Sequence, residues 1–113
     1  MSIRDNRRDQ LQGTLDLLVL RTLSSGGTMH GYAITERVEQ ISRDVLRIEA
    51  GSLYPALYRL EQRGLIRAAW QATPNGRRAK VYSLTRAGLR HLNDQREAWH
   101  RFAGALTAIL HVS

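Results

Sequence analysis

The stretch from Ala50 to Ile66, AGSLYPALYRLEQRGLI, constrains the chain more than any other. It reads as a short helix with a marked start and a marked stop. Ser52 is a candidate N-cap, because its hydroxyl can accept from a free amide of the first turn. Pro55 then falls in that first turn, where a missing N–H costs little. Gly64 offers a left-handed C-cap. Leu53, Leu57 and Leu60 recur at i, i+4 and i+7 and form one apolar stripe. Ser52, Pro55, Arg59 and Gln62 fall on the other side, with Tyr54 and Tyr58 on its flank. A helix of about 12 residues, roughly 10–12 Å across, fits the major groove of DNA. Taken alone, the pattern also describes an ordinary amphipathic helix with a solvated polar face, so the rest of the chain decides.

Charge is the next constraint. The net charge is +7 over 113 residues. Between Arg59 and Arg90 lie Arg59, Arg63, Arg67, Arg77, Arg78, Lys80, Arg86 and Arg90, against Glu61 alone, so the remainder of the chain is balanced. Lys80 is the single lysine among 17 basic residues. Arginine suits planar, bidentate partners such as phosphates and guanine edges. Codon usage can enrich arginine, but it does not explain the uneven placement, which points to a polyanionic partner.

The hydrophobic share of 42% supports one small core, hence one domain with an appended helix. Absence of cysteine rules out disulfides and thiolate metal sites and fits a reducing cytoplasm. No apolar run approaches the ~20 residues of a membrane span, and the polar N-terminus lacks the apolar segment of a signal peptide. A cytoplasmic protein without membrane contact is expected.

In chain order, residues 1–10 are a polar N-terminal arm or the lead-in to the first helix. Leu11, Leu15, Leu18, Val19 and Leu23 carry a helical period. Ser25-Gly26-Gly27-Thr28 breaks it, and a second helix runs roughly from Gly31 to Ser42, with Ala33/Ile34, Val38 and Ile41 inward. His30 serves its start. A connector leads into the 52–63 helix, so the pair forms a helix-turn-helix. Residues 65–71 and 78–84 alternate as strands around the turn Thr73-Pro74-Asn75-Gly76, in which Asn-Gly supplies left-handed positions. Ile66, Ala68 and Trp70 share a face, Tyr82 and Leu84 point inward, and Trp70 reads as packing. Such a hairpin is a wing, with Arg77, Arg78 and Lys80 at or near its tip to meet phosphate or the minor groove. Thr85 caps a last helix, 85–113. Its Leu89, Leu92, Trp99, Phe102/Ala103, Leu106 and Ile109/Leu110 make a seam too long for the small 11–84 domain to cover. A second copy is the simplest cover. His91, His100 and His111 lack the i, i+4 spacing of a helical metal site.

These segments resemble the PadR family of bacterial transcriptional regulators. The resemblance is carried by His30-Gly31-Tyr32, Gly51-Ser52-Leu53-Tyr54-Pro55-Ala56-Leu57, Leu60-Glu61, Gly64-Leu65-Ile66, Gly76-Arg77-Arg78-Ala79-Lys80, Tyr82, Leu84-Thr85 and Gly88, in the family's order. It implies a mainly α fold with a small β-hairpin: a winged helix-turn-helix with a C-terminal dimerisation helix, as in the family's short branch. Val81 stands where many relatives have an aromatic. The implied function is a homodimer on a palindromic promoter site in double-stranded DNA, usually as a repressor. The implied DNA-binding residues are Ser52, Tyr54, Pro55 and Arg59 on the recognition helix, and Arg77, Arg78 and Lys80 on the wing. Arg59 would pair with a guanine edge, and Ser52 and Tyr54 would hold phosphates. Tyr32 has two readings, a phosphate contact or a core tyrosine. Leu92, Trp99, Phe102, Leu106 and Ile109 would form the dimer interface. Trp99 matches an indole that some relatives use to stack a flat aromatic effector, and simple interface packing is its other reading. No cofactor is implied.

Two other functions fit the sequence less well. A protein-interaction module that lost DNA binding gains nothing from the basic field. An enzyme would need a nucleophile elbow, a phosphate loop or a catalytic cluster, and the sequence carries none of these.

Overall fold

A computed structural model describes the backbone of residues 3–112 and the side chains of residues 13–112. The elements in order are α1 (Ile3–Gly26), β1 (Met29–His30), α2 (Gly31–Ile41), α3 (Ala50–Gln62), β2 (Ile66–Ala72), β3 (Arg78–Leu84) and α4 (Arg86–Leu110). Of the two readings of residues 1–10, the lead-in holds from Ile3 onward, because α1 already begins there. The side chains of Arg4, Arg7, Arg8 and Leu11 lie outside the described residues.

One cluster holds these elements together: Val19, Leu20 and Leu23 of α1, Ile34 of α2, and Leu53, Leu57 and Leu60 of α3, with Leu65, Ile66, Tyr82 and Leu92. The three α3 leucines are each at most 1% exposed. Full burial of such a side chain stabilises by about 1.5–3 kcal/mol. The leucine stripe therefore fixes which face of α3 is inside. Leu15 only edges this core, Leu18 is half-buried, and Ile41, expected inward, is 64% exposed at the end of α2.

Three details go beyond the sequence reading. First, the sheet has three strands, in the order β1-β3-β2, because Met29 and His30 pair with Tyr82 and Val81. Val81, paired with His30 of that extra strand, is buried although it alternates with the inward Tyr82. Second, α3 starts two residues before Ser52. Glu49 is its N-cap without a side-chain bond, and its carbonyl accepts from the Ser52 and Leu53 amides. Pro55 therefore sits one turn further in than expected; exposed Gly51, four residues earlier, presents no side chain there. Third, Arg43 and Asp44 take left-handed backbone after α2, where the Asp44 amide reaches the Glu39 carbonyl at 2.8 Å.

The stop of α3 matches its expectation. Gly64 has φ +73°, its amide donates to the Glu61 carbonyl, and the Leu65 amide donates to the Leu60 carbonyl. Thr85 then ties α4 to this corner. Its hydroxyl donates to the Gly64 carbonyl at 2.7 Å and accepts from the Gly88 amide at 3.0 Å. Gly88 allows the close approach, since a Cβ there would run into the Leu65 carbonyl oxygen.

Candidate nucleic-acid interface

With Leu53, Ala56, Leu57 and Leu60 buried, the helical period leaves Gly51, Pro55, Tyr58 and Gln62 at i, i+4, i+7 and i+11 on the opposite face. All four are exposed, Tyr58 at 65%. A Cβ on Gly51 would meet nothing within 4 Å, so the start of this face is bare backbone. Gln62 can pair bidentately with an adenine edge, and Tyr58 brings a phenol beside it. Tyr58 and Gln62 had no assigned role in the sequence reading. The signal that could have found them is the angular distance from the leucine stripe, which is greatest for these positions.

Arg59 lies differently from its expectation. It sits at the edge of the buried stripe, and its Nη2 donates to Oδ1 of Asp16 on α1 at 3.0 Å. The two side chains are 32% and 13% exposed. Its guanidinium is thus engaged by the protein's own body rather than held free for a guanine. Ser52 is exposed on the same flank. It shares with Pro55 and Arg59 the wall of a cleft of about 520 Å³ between α1 and the 46–49 connector.

The other flank of α3 faces α2. The Tyr54 ring covers Gly31, where a Cβ would come within 3.1 Å of the phenol. Tyr54 remains 51% exposed, so it joins α2 to α3 and still borders solvent. Tyr32 is 72% exposed, which removes its core reading.

The wing adjoins this surface. Gly76, with φ +77°, sharpens its tip, and the Thr73 amide and hydroxyl both donate to the Arg77 carbonyl, at 2.8 and 2.7 Å. Asn75, expected left-handed as well, does not have a positive φ. Arg77 and Arg78 are exposed. Lys80 reaches back, its Nζ 3.9 Å from Oε2 of Glu61 on α3, so the wing and the helix form one surface. Trp70, expected as packing, is 59% exposed beside Arg78 and Lys80. Below them Tyr82 is 5% exposed. Burial, then the carboxylate of Glu61 and Tyr54 beside it, raise the Tyr82 pKa above its usual 10.0.

Along α4, Leu92 is 1% exposed within the chain's own core, so its expected place in a dimer interface is corrected. Trp99, Phe102, Leu106 and Ile109 stay between 44% and 69% exposed, in steps of three and four. The Trp99 and Phe102 rings lie 5.6 Å apart, tilted by 36°. Among the described residues no acidic and histidine cluster could hold a metal ion, and no helix is long and apolar enough to cross a membrane.

Four helices and a three-stranded antiparallel sheet, with a helix-turn-helix and a basic hairpin on one side, define a winged helix of the kind found in transcriptional regulators. Residues 19–94 match the transcriptional regulator PadR-like family, and the chain belongs to that family. It is 37% identical over 75 residues to the transcriptional regulator Rv3488 of Mycobacterium tuberculosis, a match covering 66% of each chain. The crystal structure of a PadR family transcriptional regulator from Eggerthella lenta covers 98% of this chain and 95% of its own, with a TM-score of 0.76 and 30% identity. A transcriptional regulator structure from Clostridium thermocellum shares the fold, with a TM-score of 0.78 at 24% identity, over 88% of this chain and 96% of that one. The protein is thus a transcriptional regulator with a DNA-binding winged helix.

Proposed function

We propose that the protein is a homodimeric repressor that reads a palindromic promoter site, working in the cytoplasm with the DNA. The observation that carries this reading is the joining of two surfaces. The exposed stripe of α3 lies beside a wing whose Lys80 reaches Glu61 of that same helix. In this reading Gly51, Pro55, Tyr58 and Gln62 enter the major groove, where the bare start of α3 permits close approach. Ser52, Tyr54 and Tyr32 hold phosphates on either flank. Arg77, Arg78 and Lys80 meet phosphates or the minor groove beyond. Arg59 contributes through Asp16, by fixing the angle of α3 on α1.

The exposed α4 stripe supports a two-fold partner, since large apolar side chains in helical register gain by mutual burial. Two such protomers would set their α3 helices about one DNA turn apart, ~34–36 Å. A flat aromatic effector would meet Trp99 and Phe102 at that seam. By favouring another α4 arrangement it would change the α3 spacing and release the site.

Selection of bound duplexes from a random pool tests the reading. An enriched palindrome with half-sites one helical turn apart is expected. Recovery of unenriched sequence, or failure to retain duplex DNA at low salt, would remove it.

A further inference from the structure

Sequence alternation puts Ile66, Ala68 and Trp70 on one face of β2, and pairing sets Leu84, Tyr82 and Lys80 directly across from them. The core uses the inner part of that face: Ile66 is 2% exposed and Tyr82 5%. Trp70 lies one step further out, where the core has ended, and is 59% exposed. Its ring centroid is 5.6 Å from Cζ of Arg78 and 6.0 Å from Nζ of Lys80. An indole so open to water adds little to folding, and its cationic neighbours repel a positively charged partner. A flat apolar ring flanked by two cations suits a surface that alternates apolar sugar with anionic phosphate.

We propose that Trp70 is itself a DNA-contact residue, laying its indole on the deoxyribose wall of the minor groove between phosphates held by Arg78 and Lys80. This rests on the wing facing DNA, as in the proposed function. The contact is apolar and reads no base edge. It therefore strengthens binding to all duplexes alike and survives salt that weakens the arginine contacts.

The full-length Trp99→Phe variant leaves Trp70 as its single indole, because the chain has two tryptophans. That variant is titrated with a dye-labelled duplex of selected sequence and with one of random sequence, recording anisotropy and indole emission together. The emission of Trp70 is expected to change along the same isotherm as the anisotropy. In the wild-type background, Trp70→Ala is expected to weaken both duplexes by about tenfold, the order of one aromatic contact. The slope of log affinity against log salt stays as in wild type, and Trp70→Phe recovers part of the loss. Binding seen by anisotropy without any emission change, and with Trp70→Ala equal to wild type, overturns the inference while leaving the wing reading intact. A Trp70→Ala slope flattened by about one unit also overturns it, because the ring would then act by placing a cation. No anisotropy change with either duplex in the wild-type protein defeats the DNA-facing wing itself. Circular dichroism melts of Trp70→Ala within a few degrees of wild type separate these outcomes from misfolding.

Discussion

Replacing Arg59 by Ala separates a residue that reads DNA from one that braces the helix that does. The guanidinium donates to Asp16 at 3.0 Å, and the Asp16 side chain is 13% exposed against 32% for Arg59. Without Arg59 the carboxylate stays largely out of water and loses its counter-charge. Leaving a buried polar group unpaired costs about 1–3 kcal/mol. Water admitted by the exposed side of Arg59 screens the pair, and surface pairs are worth about 0.2–1 kcal/mol. The expected loss is therefore near the overlap, about 1 kcal/mol. That corresponds to a fall of roughly 4–8 °C in Tm for a domain of this scale. The assay is a double-mutant cycle by thermal circular dichroism with Arg59→Ala, Asp16→Ala and the double variant. The double variant should melt no lower than Arg59→Ala, giving a coupling of about 1 kcal/mol. In gel shifts on single-base operator variants, Arg59→Ala should keep the wild-type order of base preference. An unchanged melting temperature together with relaxed preference at one position per half-site would refute the bracing role and return Arg59 to the DNA.

Other expectations follow from the same geometry. Gly88→Ala should destabilise by about 1–3 kcal/mol in urea unfolding, because overpacking against the Leu65 carbonyl outweighs the better helix propensity of alanine. Leu106→Glu, on the exposed α4 stripe, should yield monomers by sedimentation without lowering the helical signal; a dimer unaffected by the change would place the interface elsewhere. The raised pKa of Tyr82 means that the folded state holds its proton more tightly than the unfolded chain. Its contribution is fully present below about pH 10 and is lost as pH rises through the folded pKa. Melting temperatures in Tyr82→Phe should accordingly fall less than in wild type across that alkaline range.

The sequence carried the architecture further than the site. The Gly64 stop, the Thr85 cap and the leucine stripe are local signals, and each holds in three dimensions. The α3 start was obscured because Ser52 looks like a cap, while the backbone carbonyl of Glu49 serves without any side-chain signature. A two-residue β1 carries no readable period. Arg59 and Asp16 lie 43 positions apart, so no helical wheel could reveal that the guanidinium was engaged. Leu92 continues the periodicity of the α4 seam. Only packing shows that the domain's own core takes it and leaves Trp99 and its successors outside.

The most direct test of the joined helix-and-wing surface uses the absence of native cysteine. Single-cysteine variants Gln62→Cys on α3 and Asn75→Cys at the wing tip can each carry a tethered DNA-cleaving iron chelate. On the selected operator, the α3 variant should cut within the major groove of each half-site. The wing variant should cut in the flanking minor groove, both patterns repeating about the two-fold centre. Uniform cutting along the duplex, or cuts from the two variants at unrelated positions, would contradict the account.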